Sequence, residues 1–307
     1  MYDLSRTTKT LLTLNLCTRV GALVGWPEGG TKVTGNAVLF DRETWERNLA
    51  QPNATGSIPV TGFDISQRWP SQEVDGWTLS LNVSSDVPGS QSINSNSSTA
   101  GSFTGTSIFL KAPENIQGAF ANQTALDETT WKICVNVIPN GPQEDDSAAD
   151  NGTCGFLSSQ CITDLQQAYA EKFSGSQDCY SPPSTPSSCG STVDTNNFQV
   201  QQLPLTSVNG TEVFVTASES HEVGDETAWN NATRQVWPVL TIWGWNTRAK
   251  APEDSSPQVQ LSCLRASTVD PGSGSGSDTP SSARPTFSVA AVFAFCAASV
   301  TAWYAYL

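Results

Sequence analysis

Four of the ten tryptophans fall between Trp229 and Trp245, a dense local cluster. Within it, Trp237-Pro238-Val239-Leu240-Thr241-Ile242-Trp243-Gly244-Trp245 has the composition of a strand. An extended chain places Trp237, Val239, Thr241, Trp243 and Trp245 on one face. Trp243 and Trp245 would then stand about 7 Å apart. Flat apolar rings at that spacing can stack on sugar rings, so Trp237, Trp243 and Trp245 are candidate ligand-binding residues for a polysaccharide. The competing reading is a strand buried between two layers, because Leu240 and Ile242 make the opposite face apolar too. Pro238 suits a strand that starts there or lies at a sheet edge.

Other chemistry is sparse. His221 is the single histidine, set in Glu219-Ser220-His221-Glu222-Val223-Gly224-Asp225-Glu226. An imidazole ringed by carboxylates can hold a divalent cation or act as a base. The spacing matches no oxygen-ligand loop, so the segment reads as a solvated acidic turn. One histidine excludes a multi-histidine metal centre. The chain has no Gly-x-Ser-x-Gly elbow, no phosphate-binding glycine loop and no His-Glu-x-x-His. No catalytic residue, cofactor site or metal ligand is assigned. A glycosidase needs only two carboxylates, so among 29 Asp and Glu a carbohydrate-active enzyme stays open as the alternative. The net charge of −14 disfavours nucleic acid as a partner.

The cysteines and sequons point to a compartment. There are eight cysteines, and a processed chain would lose two of them. Arg6 and Lys9, the apolar run from Leu11 to Leu16 and the small residues Gly21 and Ala22 resemble a secretory signal spanning residues 1–22. Its removal takes away Cys17. At the other end, Phe287 to Leu307 is a run of 21 residues without Lys, Arg, Asp or Glu. Residues 269–286 before it form a Gly/Ser/Pro-rich stalk. A small-residue attachment site, a polar spacer and an apolar tail are the pattern of a glycosylphosphatidylinositol (GPI) signal. The competing reading is a retained membrane span, which lacks the expected cytoplasmic cation. Ser275 is the expected lipid-bearing residue, with Gly274, Gly276 and Ser277 as alternatives.

Tail removal takes away Cys296 and leaves six cysteines: Cys134, Cys154, Cys161, Cys179, Cys189 and Cys263. An even set suits three disulfides in an oxidising compartment. Fifteen pairings are possible for six cysteines. Four of the six crowd into Cys154 to Cys189, so that segment is expected to be stapled to itself, leaving Cys134 and Cys263 as partners. N-glycosylation sequons stand at Asn53, Asn82, Asn96, Asn122, Asn151, Asn209 and Asn231.

These residues need a scaffold, and period-two alternation supplies one. Trp77, Leu79, Leu81 and Val83 share a face, with sequon Asn82 on the polar side. Trp131, Ile133, Val135 and Val137 repeat the pattern, as do Val213 and Val215, and Val259, Leu261 and Cys263. Ile108 to Leu110 and Phe198 to Val200 are shorter candidates. Ser84 to Gly105 and Pro139 to Gly152 read as loops. The exception is Ile162 to Phe173, where Ile162, Leu165, Tyr169 and Phe173 have helical spacing. The expected fold is mainly β, an antiparallel β-sandwich over residues 23–268. It carries a disulfide-tied, mostly irregular insertion at about 154–195 with one helix.

Taken together, the secretory start, the Ser/Asn-rich ectodomain, the Gly/Ser/Pro stalk and the apolar tail resemble GPI-anchored cell-surface glycoproteins of filamentous fungi. Widely spread cysteines without Cys-Cys doublets set the chain apart from hydrophobins. The resemblance implies residence at the plasma membrane or cell wall. It transfers no catalytic residues. The expected role is a non-catalytic surface protein, held to the membrane by a lipid anchor, that binds or organises wall polysaccharide.

Overall fold

A computed structural model describes residues 31–33, 38–89, 91–92, 101–117, 130–139, 141–143, 152–177, 179, 183–193, 199–202, 209–246, 249 and 255–270. The expected signal segment, the attachment residues Gly274, Ser275, Gly276 and Ser277, the apolar tail and sequons Asn96, Asn122 and Asn151 lie outside these residues.

The chain is mainly β, with antiparallel sheets. Its early strands are β1 (Thr31–Val33), β2 (Val38–Asp41), β3 (Ala54–Pro59), β4 (Gly62–Phe63) and β5 (Glu73–Val74). Next come β6 (Thr78–Pro88), β7 (Gln91–Ser92), β8 (Ser102–Lys111), β9 (Trp131–Val137) and β10 (Gln199–Gln202). The last are β11 (Asn209–Ala217), β12 (Trp237–Trp245), β13 (Gln258–Leu264) and β14 (Thr268–Val269). Helices interrupt them as α1 (Arg42–Leu49), α2 (Glu114–Gln117), α3 (Ser159–Ser176) and α4 (Glu226–Arg234).

Two sheets make the sandwich. One runs β11-β8-β6-β3-β14 and the other β10-β9-β12-β13. Alternation in β6 turns Leu79, Leu81 and Val83 inward, where they meet Ile133, Val135 and Val137 of β9 and Val239 and Trp243 of β12. The chain crosses from β13 to β14 beside Gly56, where a Cβ would collide with the Arg265 carbonyl. Only glycine permits so close a backbone approach.

Both outer faces are covered. Trp45 and Leu49 of α1 pack with Phe40, Val87, Phe103, Val215 and Ala217 over the first sheet. The carbonyls that α1 cannot satisfy within itself find partners on β6: Asn82 Nδ2 donates to Leu49 O at 2.9 Å and Ser84 Oγ to Asn48 O at 2.8 Å. The alternation signal placed a loop from Ser84 to Gly105. Instead β6 runs on to Pro88 and β8 starts at Ser102. A bulge between Ser84 and Val87, with Asp86 at φ 54°, carries the strand through this polar stretch.

The second sheet is covered by the insertion. Helix α3 begins at the Ser158 cap, whose Oγ accepts the Cys161 N–H at 3.1 Å. Its buried stripe is Cys161, Leu165, Tyr169 and Phe173. This stripe meets Cys134, Leu240, Ile242, Leu261 and Cys263 of the sheet. All six expected cysteines form disulfides; one staple falls within Cys154 to Cys189 as expected, but Cys134 and Cys263 do not pair with each other. The bonds are Cys134–Cys179, Cys154–Cys263 and Cys161–Cys189. Cys134 on β9 and Cys263 on β13 cannot pair because β12 lies between their strands. Two strand spacings, about 9.5 Å, exceed the reach of a disulfide, about 7 Å between Cα atoms. Two bonds therefore tie the insertion down onto the sheet, and one closes it upon itself.

Candidate functional site

The tryptophan platform does not exist in the folded chain. Trp237, Trp243 and Trp245 are 5 %, 1 % and 5 % exposed. Trp243 meets Trp77 edge-on with ring centroids 4.7 Å apart, and Trp245 lies 4.5 Å from Trp69 and 5.6 Å from Phe173. Trp237 packs on Phe214 at 5.0 Å. The reason is coverage: β12 is central in its sheet, one face against the other sheet and one under the insertion. Gly244 records the contact, since a Cβ there would enter the Phe173 ring. Pro238 marks the start of the strand and not a sheet edge.

A different site lies at one end of the sandwich. On β8, Thr104 and Thr106 share the inward parity of Ile108 and Leu110, so the inner face changes from apolar to hydroxyl-bearing. Thr216 of β11 extends this floor, and Trp237 stands at the start of β12. Helix α4 closes the other side with Ala228 and Asn231, and Gln235 follows just past its end. Together they enclose a cavity of about 450 Å³. The indole Nε1 of Trp237, in its wall, is buried and has no hydrogen-bond partner among the described residues.

Helix α4 is set by its cap. The Asp225 carboxylate accepts the N–H groups of Thr227 at 2.8 Å and Ala228 at 3.0 Å. The Ala228 bond, helped by that of Thr227 and by nearby His221, holds the Asp225 carboxyl below its ordinary range, against a desolvation that raises it. Trp229 then reaches into the inter-sheet core.

His221 is not on a solvated turn. Its side chain is 5 % exposed, and its backbone pairs with Ser102 in an isolated β-bridge. Nε2 lies 3.1 Å from Thr104 Oγ1 and Nδ1 lies 2.8 Å from the Glu222 carbonyl. Asp86 Oδ1 is 4.0 Å from Nδ1. The ring stands between the 450 Å³ cavity and a second one of about 560 Å³ bounded by Pro88, Gly101, Ser102 and Val223. Among the described residues no cluster of His, Cys, Asp and Glu could hold a metal ion, and no helix is long and apolar enough to cross a membrane.

The described sequons differ. Asn231 is exposed on α4. Asn53 is half-buried, with Oδ1 accepting from Ser85 N at 3.0 Å and Ser85 Oγ at 3.1 Å. Asn82 is half-buried, and Nδ2, the atom a glycan would occupy, is the donor to Leu49 O. Polar-side placement alone therefore does not make Asn82 a free acceptor. The backbone of Asn209 begins β11.

Sequence reasoning missed Thr104, Thr106, Thr216 and Gln235. The available signal was the parity of β8, where two threonines continue an apolar face. Comparisons with protein-family models, with curated proteins and with solved structures return no match to this chain.

Proposed function

We propose that the chain is a GPI-anchored glycoprotein of the extracellular membrane face or cell wall that binds or organises wall polysaccharide without cleaving it. The observation that carries the binding half is the end groove. Its Thr106 and Thr216 hydroxyls and the exposed Asn231 amide offer an uncharged ligand hydrogen bonds, and Ala217, Ala228 and Ala232 offer apolar contact. A neutral sugar fits that chemistry better than an anion does, given the net charge of −14. The display half rests on three disulfides, which persist in oxidising compartments. It rests also on the apolar run 287–307 behind its small-residue spacer.

The two-carboxylate enzyme draws less support. Glu219 and Asp225 are the carboxyl groups among the described lining residues. Asp225, with its carboxyl depressed, would have to serve as the ionised member of the pair, and its Oδ1 is already engaged by the N–H groups of Thr227 and Ala228.

The secreted protein, with its N-glycans removed enzymatically in the folded state, is expected to sediment with insoluble β-glucan or chitin and to release no reducing ends. Thr106→Val and Thr216→Val should leave it in the supernatant while keeping the wild-type Tm. Deglycosylated wild-type protein that stays in solution with both polymers, or variants that sediment equally, would end the binding proposal. Release of reducing ends would restore the enzyme.

A further inference from the structure

Asn231 opens an Asn-Ala-Thr sequon, and both Asn231 and Ala232 line the end groove. The Asn231 side chain is exposed. The sequon threonine, Thr233, is 7 % exposed, and its hydroxyl donates to the Trp229 carbonyl at 3.0 Å. That burial is no obstacle, because the acceptor sequence is read on the chain as it enters the secretory lumen, before α4 has formed. After folding, the Asn231 backbone is held on a helix capped by Asp225 and anchored through Trp229. Anything attached to its Nδ2 therefore starts at a fixed point on the groove wall. Asn82 provides the contrast, since its Nδ2 is consumed beneath α1.

We infer that Asn231 carries an N-linked glycan whose first sugars stand over the mouth of the end groove and restrict what enters it. This inference rests on the secretory, carbohydrate-binding reading above. A tethered sugar is presented at millimolar effective concentration, and the groove's hydroxyls, amides and carboxylates offer partners to sugar hydroxyls. The glycan is thus a built-in competitor. Forms lacking it would be the open forms of the groove.

The reporter is Glu219, an exposed carboxylate that lines the groove. Glu43 on α1, 88 % exposed, is the control. The secreted full chain, the same protein after enzymatic deglycosylation in the folded state, and Asn231→Gln would each be coupled to a bulky amine with carbodiimide. Peptide-resolved mass spectrometry then reads both sequon occupancy and coupling. The expected result is an occupied Asn231 and a several-fold faster coupling at Glu219 once the glycan is gone, with Glu43 unchanged. Deglycosylation of folded protein keeps the test valid if Asn231→Gln folds poorly. Occupied Asn53 with bare Asn231 would overturn the inference, as would equal Glu219 coupling with and without the glycan. Absence of glycan from every sequon would remove the secretory reading and this inference with it. If Glu219 opens as expected but the open protein still ignores glucan and chitin, the glycan shield stands and polysaccharide binding alone fails.

Discussion

Trp243 touches Phe63, Trp77 and Trp131, three aromatic rings drawn from three separate parts of the chain. It is one of the largest fully buried side chains of the described residues. Its work is therefore cohesion between the sheets. Truncating a buried tryptophan leaves a cavity as well as a lost transfer free energy, about 3–5 kcal/mol in total. Trp243→Ala is expected to lower unfolding stability by that amount in urea titration. A fully stable variant would show that the ring is not core. His221 carries the opposite lesson. Its acidic neighbours in the sequence suggested an open turn, yet its ring is enclosed by Thr104, the Glu222 carbonyl and Asp86, groups from β8, its own segment and the β6 bulge.

Helix α4 shows how a short element positions a site. Trp229 and Thr233, four residues apart, form its buried side. The Asp225 cap supplies two acceptor bonds at its start. Because the folded Asp225 carboxyl is depressed, its contribution to stability is present above the unfolded value, about 3.9, and disappears as pH falls through the folded value. Asp225→Ala is expected to melt below wild type at neutral pH, with the gap closing in acid. A gap that stays constant down to pH about 2 would contradict the capping role. Strand β12 makes the complementary point. Every residue from Trp237 to Trp245 is buried, as a central strand between two covered faces requires. Its apolar even positions already carried that information, whereas the sugar platform needed one face to be bare.

At the level of the molecule the disulfides decide what is covered. Cys154–Cys263 spans 109 residues and Cys134–Cys179 spans 45, and both hold the insertion over the second sheet. Cys161–Cys189 spans 28 and closes the insertion alone. Removing a native disulfide costs about 2–5 kcal/mol, more for longer loops. The Cys154→Ser/Cys263→Ser pair should therefore lose more stability than Cys161→Ser/Cys189→Ser, measured by guanidinium unfolding; the reverse order would contradict this account. Period-two runs such as Trp77 to Val83 and Trp131 to Val137 were enough to read the antiparallel β class, because alternation reports which residues face apolar surroundings. The spacing of Leu165, Tyr169 and Phe173 was enough to read α3. The short helices α1 and α4 were not read, since eight or nine residues carry barely two turns of periodicity. Local pattern, with cysteine parity, thus determined the fold class, the helix of the insertion and the set of bonded cysteines. Strand order decided the rest. It separated Cys134 from Cys263, placed β12 in the middle of its sheet, and brought Thr104, Thr216 and Asn231 around one cavity. Such adjacency between distant segments is set by packing, and local sequence does not encode it.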